Sequence, residues 1–141
     1  MPSASSTGRQ SRCELFNPYN RSQNREQSFT NVHILSTFIF PPVSLLTSVL
    51  LPAESIDLML LVDVYHEFSF PYEMGTSMYN ALKPNGKIVL VEFRMEDDAV
   101  PIKTIHKMSE SQAIKEMKKA GFRLEKNYTN LPWQHCMVFV K

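Results

Sequence analysis

Four polar residues stand at the end of a largely apolar stretch of the sequence. The stretch covers residues 56–64, and Asp63, Tyr65, His66 and Glu67 lie at or just past its end. The imidazole of His66 titrates near neutral pH, which makes it the candidate general base. Structural interpretations stay open: His66 as a loop or helix-capping residue, Glu67 as a solvated side chain, and Asp63 as an acceptor for backbone donors.

A second group of candidates stands one strand further along the chain. Glu92 and Arg94 end the apolar, β-branched run of residues 87–93, and His106 comes shortly before the next predicted helix. The carboxyl ends of neighbouring parallel strands meet at one edge of an open α/β sheet, where such proteins bind ligands. The alternative is that Glu92 and Arg94 form surface ion pairs, which contribute little stability.

The elements that must position these residues alternate between strand and helix. Residues 56–64 are apolar apart from Asp57 and Asp63, which is typical of a central parallel strand covered on both faces. The next segment predicts a helix with Ser69 as its cap and Pro71 in its first turn.

That helix should be followed by a tight turn and a second strand. Apolar and small residues recur at helical spacing and predict one buried face, made of Gly75, Met78, Tyr79 and Leu82. Residues 83–86 read Lys-Pro-Asn-Gly and predict the turn, and residues 87–93 predict the strand. A crossover of this length predicts parallel strands in a right-handed βαβ unit.

A second helix has clearer end signals. Residues 109–112 read Ser-Glu-Ser-Gln, a capping box, and Gly121 is a plausible stop after the last turn. The apolar stripe of this helix consists of Ala113, Ile114, Met117 and Ala120. Residues 122–130 and 134–140 then predict two strands, which should pair antiparallel because the connection between them is short.

Composition and charge exclude several classes of function. The 141 residues allow one small domain, and a net charge of +1 creates no field that favours nucleic acid or anionic lipid. Cys13 and Cys136 lie far apart, which indicates a reducing, cytoplasmic compartment. No histidine follows His66 at helical spacing, so we predict no metal site, and the four glycines form no G-x-G-x-x-G or P-loop pattern.

The first third of the chain has a different character. Residues 1–30 are rich in Ser, Asn, Gln and Arg and predict a disordered tail, with an organelle transit peptide as the alternative. Residues 31–53 form an apolar segment without any charged side chain. Pro41 and Pro42 disfavour a membrane-spanning helix, so two short buried strands over residues 32–40 and 43–51 are the favoured interpretation, with a membrane-anchored protein as the weaker one.

Three stretches carry a resemblance to the second half of the class I S-adenosylmethionine-dependent methyltransferases, of the methyltransferase type 11-like kind. Residues 57–68, DLMLLVDVYHEF, resemble the fourth-strand motif of that family, and residues 82–93, LKPNGKIVLVEF, resemble its LKPGG turn and fifth strand. Residues 120–122, Ala-Gly-Phe, resemble the opening of its sixth strand. Asn85 replaces a glycine of the family, and asparagine also tolerates the left-handed backbone conformation.

The resemblance implies a fold and a reaction. The fold is α/β and Rossmann-like but incomplete: residues 54–141 would supply strands in the order 4-5-7-6, and the first half would be missing or replaced. The implied activity is S-adenosylmethionine-dependent methyl transfer to an acceptor that the sequence does not identify. By resemblance, Asp63 and Val64 would contact the cofactor, whereas the substrate side would be formed by Tyr65, Glu67, Glu92, Arg94 and His106.

Residues 1–50 match neither the E/DxGxG loop of the family nor the acidic residue that binds the cofactor ribose. The alternative function is therefore a non-catalytic, truncated remnant that lacks the cofactor-binding loop. The absence of the family's first strand would also expose an apolar sheet edge, which invites self-association. We expect the apolar segment within residues 32–51 to cover this edge.

Overall fold

The computed structural model describes residues 31–36 and 47–141. The predicted tail, residues 1–30, and part of the apolar segment lie outside the described residues. The strands are β1 (Val32–Ser36), β2 (Ile56–Val62), β3 (Leu82–Arg94), β4 (Lys107–Met108), β5 (Arg123–Tyr128) and β6 (Gln134–Val140), and the helices are α1 (Pro71–Ala81) and α2 (Glu110–Lys119). Single 3₁₀ turns cover Tyr65–Glu67 and Thr104–His106.

The described strands form one mixed sheet in the order β1-β2-β3-β6-β5, and the short β4 pairs with the end of β3. Strands β2 and β3 are parallel, β6 is antiparallel to β3, and β5 is antiparallel to β6. The path β2-β3-β6-β5 reproduces the predicted order 4-5-7-6, and the closing hairpin of β5 and β6 is confirmed.

The predicted cover of the apolar sheet edge is confirmed for residues 32–36. Strand β1 runs parallel to β2, and Val32 lies opposite Leu58 and Ser36 opposite Val62. The second predicted strand is wrong within residues 47–51, which form no strand. Leu50 adopts a left-handed backbone conformation with φ 53° and is 85% exposed, which is incompatible with a buried strand.

Helix α1 begins one residue later than a Ser69 cap requires. Its N-cap is Phe70, which makes no side-chain capping bond, so the predicted Ser69 cap is wrong. Pro71 opens the helix, where its missing N–H leaves no helical hydrogen bond unmade. Leu82 was predicted on the helical face but is the first residue of β3, where it is fully buried.

The Lys-Pro-Asn-Gly turn is absorbed into the first part of β3. Asn85 has φ 64°, as expected for a residue that replaces glycine at a left-handed position. The pairing of β2 and β3 is irregular here, because Ile56 lies opposite Leu82 whereas Leu58 lies opposite Lys87. The regular parallel ladder starts only after this turn and runs to Val62 and Val91.

Both ends of α2 follow the predicted motifs. The Ser109 hydroxyl accepts a hydrogen bond from the backbone N–H of Gln112 at 3.2 Å. Gly121 has φ 102°, its N–H donates to the Lys118 carbonyl, and the N–H of Phe122 donates to the Met117 carbonyl. This pair of bonds is a complete Schellman motif, so the predicted stop at Gly121 is confirmed.

The main core lies between one face of the sheet and the two helices. Met59 and Leu61 of β2 are fully buried in it, together with Met78 of α1 and Met117 of α2. The alternate residues Leu58 and Leu60 are only partly buried and join a smaller cluster around Val89 and Val138. In the described residues that second cluster contains no helix residue, so this face of β2 carries a smaller cluster than the face toward α1 and α2.

A membrane anchor is the weaker interpretation of the apolar segment, residues 31–53. Among the described residues, no helix has both the length and the apolar character that a membrane span requires.

Candidate functional site

The candidate site lies at the carboxyl ends of β2 and β3. Strand β2 stops at Val62, and Asp63 turns the chain with φ 48° while its N–H donates to the Val91 carbonyl at 2.9 Å. Residues 63–67, which we call the 63–67 loop, then end in a 3₁₀ turn. Strand β3 continues past Val91, which brings Glu92 beneath this loop.

A buried carboxylate organises the 63–67 loop. Glu92 is fully buried, and its Oε1 accepts hydrogen bonds from the backbone N–H groups of Val64 at 3.0 Å and Tyr65 at 2.7 Å. Its Oε2 lies 2.6 Å from Nδ1 of His66. An ionised carboxylate can only accept, so we assign the shared proton to Nδ1, which leaves Nε2 of His66 directed away from Glu92.

Nε2 of His66 meets two further polar groups. It lies 3.3 Å from Nδ1 of His106 and 3.2 Å from Oε1 of Glu67, and His106 Nδ1 lies 3.2 Å from the same oxygen. We call these three side chains the His–Glu–His cluster. The side chain of His66 is only 6% exposed, whereas those of Glu67 and His106 are 36% and 41% exposed, so the cluster opens to solvent on one side.

The surroundings shift the protonation of two groups in the loop. Burial alone lowers the pKa of His66, but the hydrogen bond and charge of Glu92, together with Glu67 and Asp63, outweigh it and raise that pKa above 6.5. Burial and then repulsion from Glu92 raise the pKa of Asp63 to about 6, with His66 partly opposing them.

Two of the predicted ligand-binding residues turn into the core. The side chain of Val64 is fully buried, and Tyr65 is 2% exposed and packs edge-on against Phe68 with ring centroids 5.4 Å apart. Burial first, and then the nearby Glu116 of α2, raises the pKa of Tyr65. These two residues therefore support the loop from below, and only their backbone takes part in the hydrogen bonding around Glu92.

Arg94 lies apart from the His–Glu–His cluster in its contacts. Its guanidinium donates to the carbonyl of Pro132 at 3.1 Å and to that of Thr129 at 3.5 Å, in the connection between β5 and β6. The structure thus brings together five of the predicted site residues: Asp63, His66, Glu67, Glu92 and His106. Arg94 instead binds the connection between β5 and β6.

The grouping of His106 with His66 could not be found from local spacing. The two histidines lie 40 positions apart, whereas the histidines of a helical zinc motif lie four positions apart. The short β4, next to the 3₁₀ turn that carries His106, pairs with Phe93 and Arg94 of β3. This pairing places the turn beside the end of β3, which explains why His106 reaches the 63–67 loop.

An open cleft of about 460 Å³ lies elsewhere, along the outer side of α1. It is lined by residues before β2, among them Ser48 and Leu51, and by Tyr72, Glu73 and Ser77 of the helix. None of the predicted site residues lines it.

Comparison with known proteins identifies the fold. No family model and no curated protein matches the sequence. Among solved structures, a SAM-dependent methyltransferase from Aquifex aeolicus matches with a TM-score of 0.61 and 16% identity, over 67% of this chain and 50% of that one. A putative type 11 methyltransferase from Sulfolobus solfataricus matches with a TM-score of 0.56 and 19% identity, over 63% and 52% of the two chains.

A third match is an S-adenosylmethionine-dependent methyltransferase from Mesorhizobium loti, with a TM-score of 0.53, 14% identity and coverage of 64% of each chain. This chain thus spans between half and two thirds of the length of these three structures. At such identities the likeness shows the fold: the described part has the incomplete Rossmann-like α/β fold that the resemblance predicted, shared with SAM-dependent methyltransferases.

Proposed function

We propose that this protein takes part in S-adenosylmethionine-dependent methyl transfer, with its site at the carboxyl edge of β2 and β3. The observation that carries the proposal is the 63–67 loop, which a buried Glu92 holds at this edge by three hydrogen bonds. Ligands of open α/β sheets bind outside the carboxyl ends of the strands. The loop is thus rigidly held where a cofactor and an acceptor would meet.

The proposed step needs only a positioned donor and a proton acceptor. The acceptor's oxygen or nitrogen attacks the methyl carbon, the carbon–sulfur bond breaks, and its electron pair stays on sulfur, which gives S-adenosylhomocysteine. The acceptor's proton passes to Nε2 of His66 in its neutral form, whose Nδ1–H is held by Glu92. Positioning of the two reactants can supply about 7–11 kcal/mol of the barrier lowering, and proton transfer to a general base such as His66 typically contributes a further factor of about 10²–10⁴ in rate.

The roles of individual residues follow from their placement. Asp63 and the backbone of Val64 stand at the end of β2 and are proposed to contact the cofactor. Glu67 and His106 are the more exposed members of the cluster and are proposed to face the acceptor. Tyr65 and Arg94 are left out of the proposed site, because their side chains are engaged in the core and in the hairpin connection.

One observation favours a second candidate, a protein that keeps the fold without binding the methyl donor. Strand β1 stands beside β2, where the resemblance places the family's first strand and its glycine loop. The ten residues that follow β1 in the sequence, 37–46, contain no glycine. Without glycine a backbone can approach a cofactor less closely, which weakens this half of a donor site.

Calorimetric titration with S-adenosylmethionine and S-adenosylhomocysteine separates the two candidates. We expect binding of both ligands by the wild-type chain and weaker binding by Asp63→Asn. The matched control is Glu125→Gln, which removes a carboxylate that pairs with Lys87 on the surface of the sheet. The absence of heat at millimolar ligand, with an intact far-ultraviolet spectrum, would support the non-binding candidate and contradict the proposed function.

A further inference from the structure

We propose that the His–Glu–His cluster is a binding site for a divalent first-row transition metal ion of the Zn²⁺ type. The ligand atoms are Nε2 of His66, Oε1 of Glu67 and Nδ1 of His106. Among the described residues, these three side chains are the group whose ligand atoms converge closely enough to hold an ion. The inference does not depend on methyl transfer, because it rests on the geometry of this chain's own side chains.

The spacing of the three atoms matches one face of a coordination tetrahedron. The separations are 3.3 Å between the two nitrogens and 3.2 Å from each nitrogen to the oxygen. A tetrahedral zinc ion with bonds of about 2.0–2.1 Å to nitrogen and oxygen holds its ligand atoms about 3.3–3.4 Å apart. An ion could therefore bind above this triangle with little movement of the side chains.

The buried Glu92 supplies the outer partner that metal-binding histidines usually have. Its Oε2 lies 2.6 Å from Nδ1 of His66, on the ring nitrogen opposite the proposed ligand atom. A carboxylate in this position fixes the tautomer, turns the ring and makes Nε2 a better ligand. The carboxylate is itself held by two backbone N–H groups, which fix its direction without an ion.

Converging lone pairs need a cation between them. Two imidazole nitrogens and a carboxylate oxygen repel one another at these distances unless a proton or a metal ion lies among them. A proton can form a good hydrogen bond between only two of these atoms, whereas a metal ion can bond to all three at once. The proton-only network is the competing explanation of the same contacts, and the experiment must decide between them.

Two histidines and one glutamate also leave room for a further ligand. Catalytic zinc sites have three protein ligands and an open position for water or substrate, and the exposed side of the cluster offers one. A metal ion there would favour the deprotonated form of a bound acceptor hydroxyl and would so replace His66 as the proton-handling group. The two states exclude each other, because both use the lone pair on Nε2.

The donor set also indicates which ions should bind. Imidazole nitrogens suit Zn²⁺, Co²⁺ and Fe²⁺, whereas Mg²⁺ and Ca²⁺ prefer sites made of oxygen ligands. We therefore expect Zn²⁺ and Co²⁺ to bind and Mg²⁺ to compete poorly.

The test is a titration of the chelator-treated full chain with Zn²⁺ in competition with a chromogenic chelator. We expect one high-affinity equivalent and, with Co²⁺, the visible absorption of a four-coordinate ion. Glu92→Gln should weaken binding by roughly 10–100-fold, as the loss of an outer carboxylate does in known sites. His106→Asn, in a half-exposed turn, should weaken it more, because it removes a ligand.

His135→Gln is the matched control. His135 also pairs with a carboxylate, with Nε2 2.9 Å from Oε2 of Glu96, and its other ring nitrogen lies near Asn127. Because His135 is not a member of the His–Glu–His cluster, His135→Gln should leave the high-affinity binding of one Zn²⁺ equivalent unchanged. Two results would each contradict the metal site. One is wild-type protein that binds no Zn²⁺ tightly; the other is His106→Asn that binds Zn²⁺ as well as wild type, with only the weak spectrum of a hydrated ion when Co²⁺ is added to the wild type. Either result would show that the cluster is a proton-only network.

Discussion

The carboxylate of Glu92 lies 2.6 Å from Nδ1 of His66, although the two residues are 26 positions apart in the sequence. This contact joins the end of β3 to the loop that follows β2. Because Glu92 is fully buried and also holds two backbone N–H groups, it fixes both the loop and the direction of the imidazole. Glu92 is thus a positioning residue for His66.

Replacement of Glu92 should therefore cost stability as well as site geometry. In Glu92→Gln one of the three accepted bonds must be lost, because a side-chain amide has a single accepting oxygen. We expect a loss of about 1–3 kcal/mol in the free energy of unfolding, measured by urea titration. Glu125→Gln, whose carboxylate is 42% exposed in a surface pair with Lys87, should change it by at most about 1 kcal/mol. Equal losses in the two variants would contradict the organising role of Glu92.

The contact between α1 and α2 depends on a glycine. A Cβ added at Gly75 would lie 2.7 Å from the Cβ of Ala120, which has no flexible end that could move away. Gly75→Ala should therefore destabilise the protein: overpacking costs about 1–3 kcal/mol, more than the roughly 0.5–1 kcal/mol that alanine contributes in a helix. Thermal or urea unfolding of a double-mutant cycle with Ala120→Gly provides the measurement. Strictly additive effects would show that these two positions do not touch.

The left-handed position at the start of β3 gives a simple backbone test. Asn85 is exposed and has φ 64°, so a substitution there changes little besides backbone strain. We expect Asn85→Ala to lower the free energy of unfolding by about 1–2 kcal/mol, and Asn85→Gly to leave it the same or raise it slightly. Urea unfolding of both variants checks this, and an alanine variant as stable as the glycine variant would contradict the turn geometry.

Acid should weaken the contacts of Glu96, whose carboxylate links His135 of β6 to the backbone at the start of α2. Partial burial opposes ionisation of Glu96, but hydrogen bonds from the backbone N–H of Glu110 and from His135 outweigh it and lower its pKa below 4.5. A carboxyl group whose pKa is lower in the folded state stabilises the fold above its unfolded pKa, and it loses that contribution as the pH falls through its folded pKa.

Unfolding of wild type and Glu96→Gln between pH 7 and strongly acidic pH measures this contribution. The wild type should be the more stable at neutral pH, and the difference should shrink below pH 4.5, the ordinary pKa of the side chain. A difference that stays constant over this range would show that Glu96 is not held in its ionised form. The carboxylate is 49% exposed, so the effect should also weaken at high salt.

The sequence was most informative where local chemistry decides the structure. Ser109 and Gly121 bound α2 as predicted, because a capping hydroxyl and a left-handed glycine act within a few residues. The order of the strands was implied by the resemblance, whereas the alternation of elements predicted the parallel pairing of β2 and β3. Ser69 failed as a cap because Pro71 takes the first helical position, which proline favours, so that Phe70 and not Ser69 is the N-cap residue.

The site was predictable only in part, because tertiary contacts complete it. Their positions at the ends of strands singled out His66 and Glu92, but the sequence does not predict the hydrogen bond between the two side chains. His106 joins them through the short pairing of β4 with β3, and neither periodicity nor motif spacing reveals such a pairing. Tyr65 and Arg94 lie at the predicted edge of the sheet and have side chains that could bind a substrate. The side chain of Tyr65 is buried in the core, however, and that of Arg94 donates to a carbonyl between β5 and β6.

The most direct test is to locate the bound cofactor by amide chemical-shift perturbation in the isotope-labelled full chain titrated with S-adenosylmethionine. We expect the shifted amides to cluster at residues 63–67 and at the end of β3 around Glu92. No shifts at saturating ligand, or shifts confined to the cleft beside α1 around Ser48 and Ser77, would contradict a methyl-donor site at this edge of the sheet.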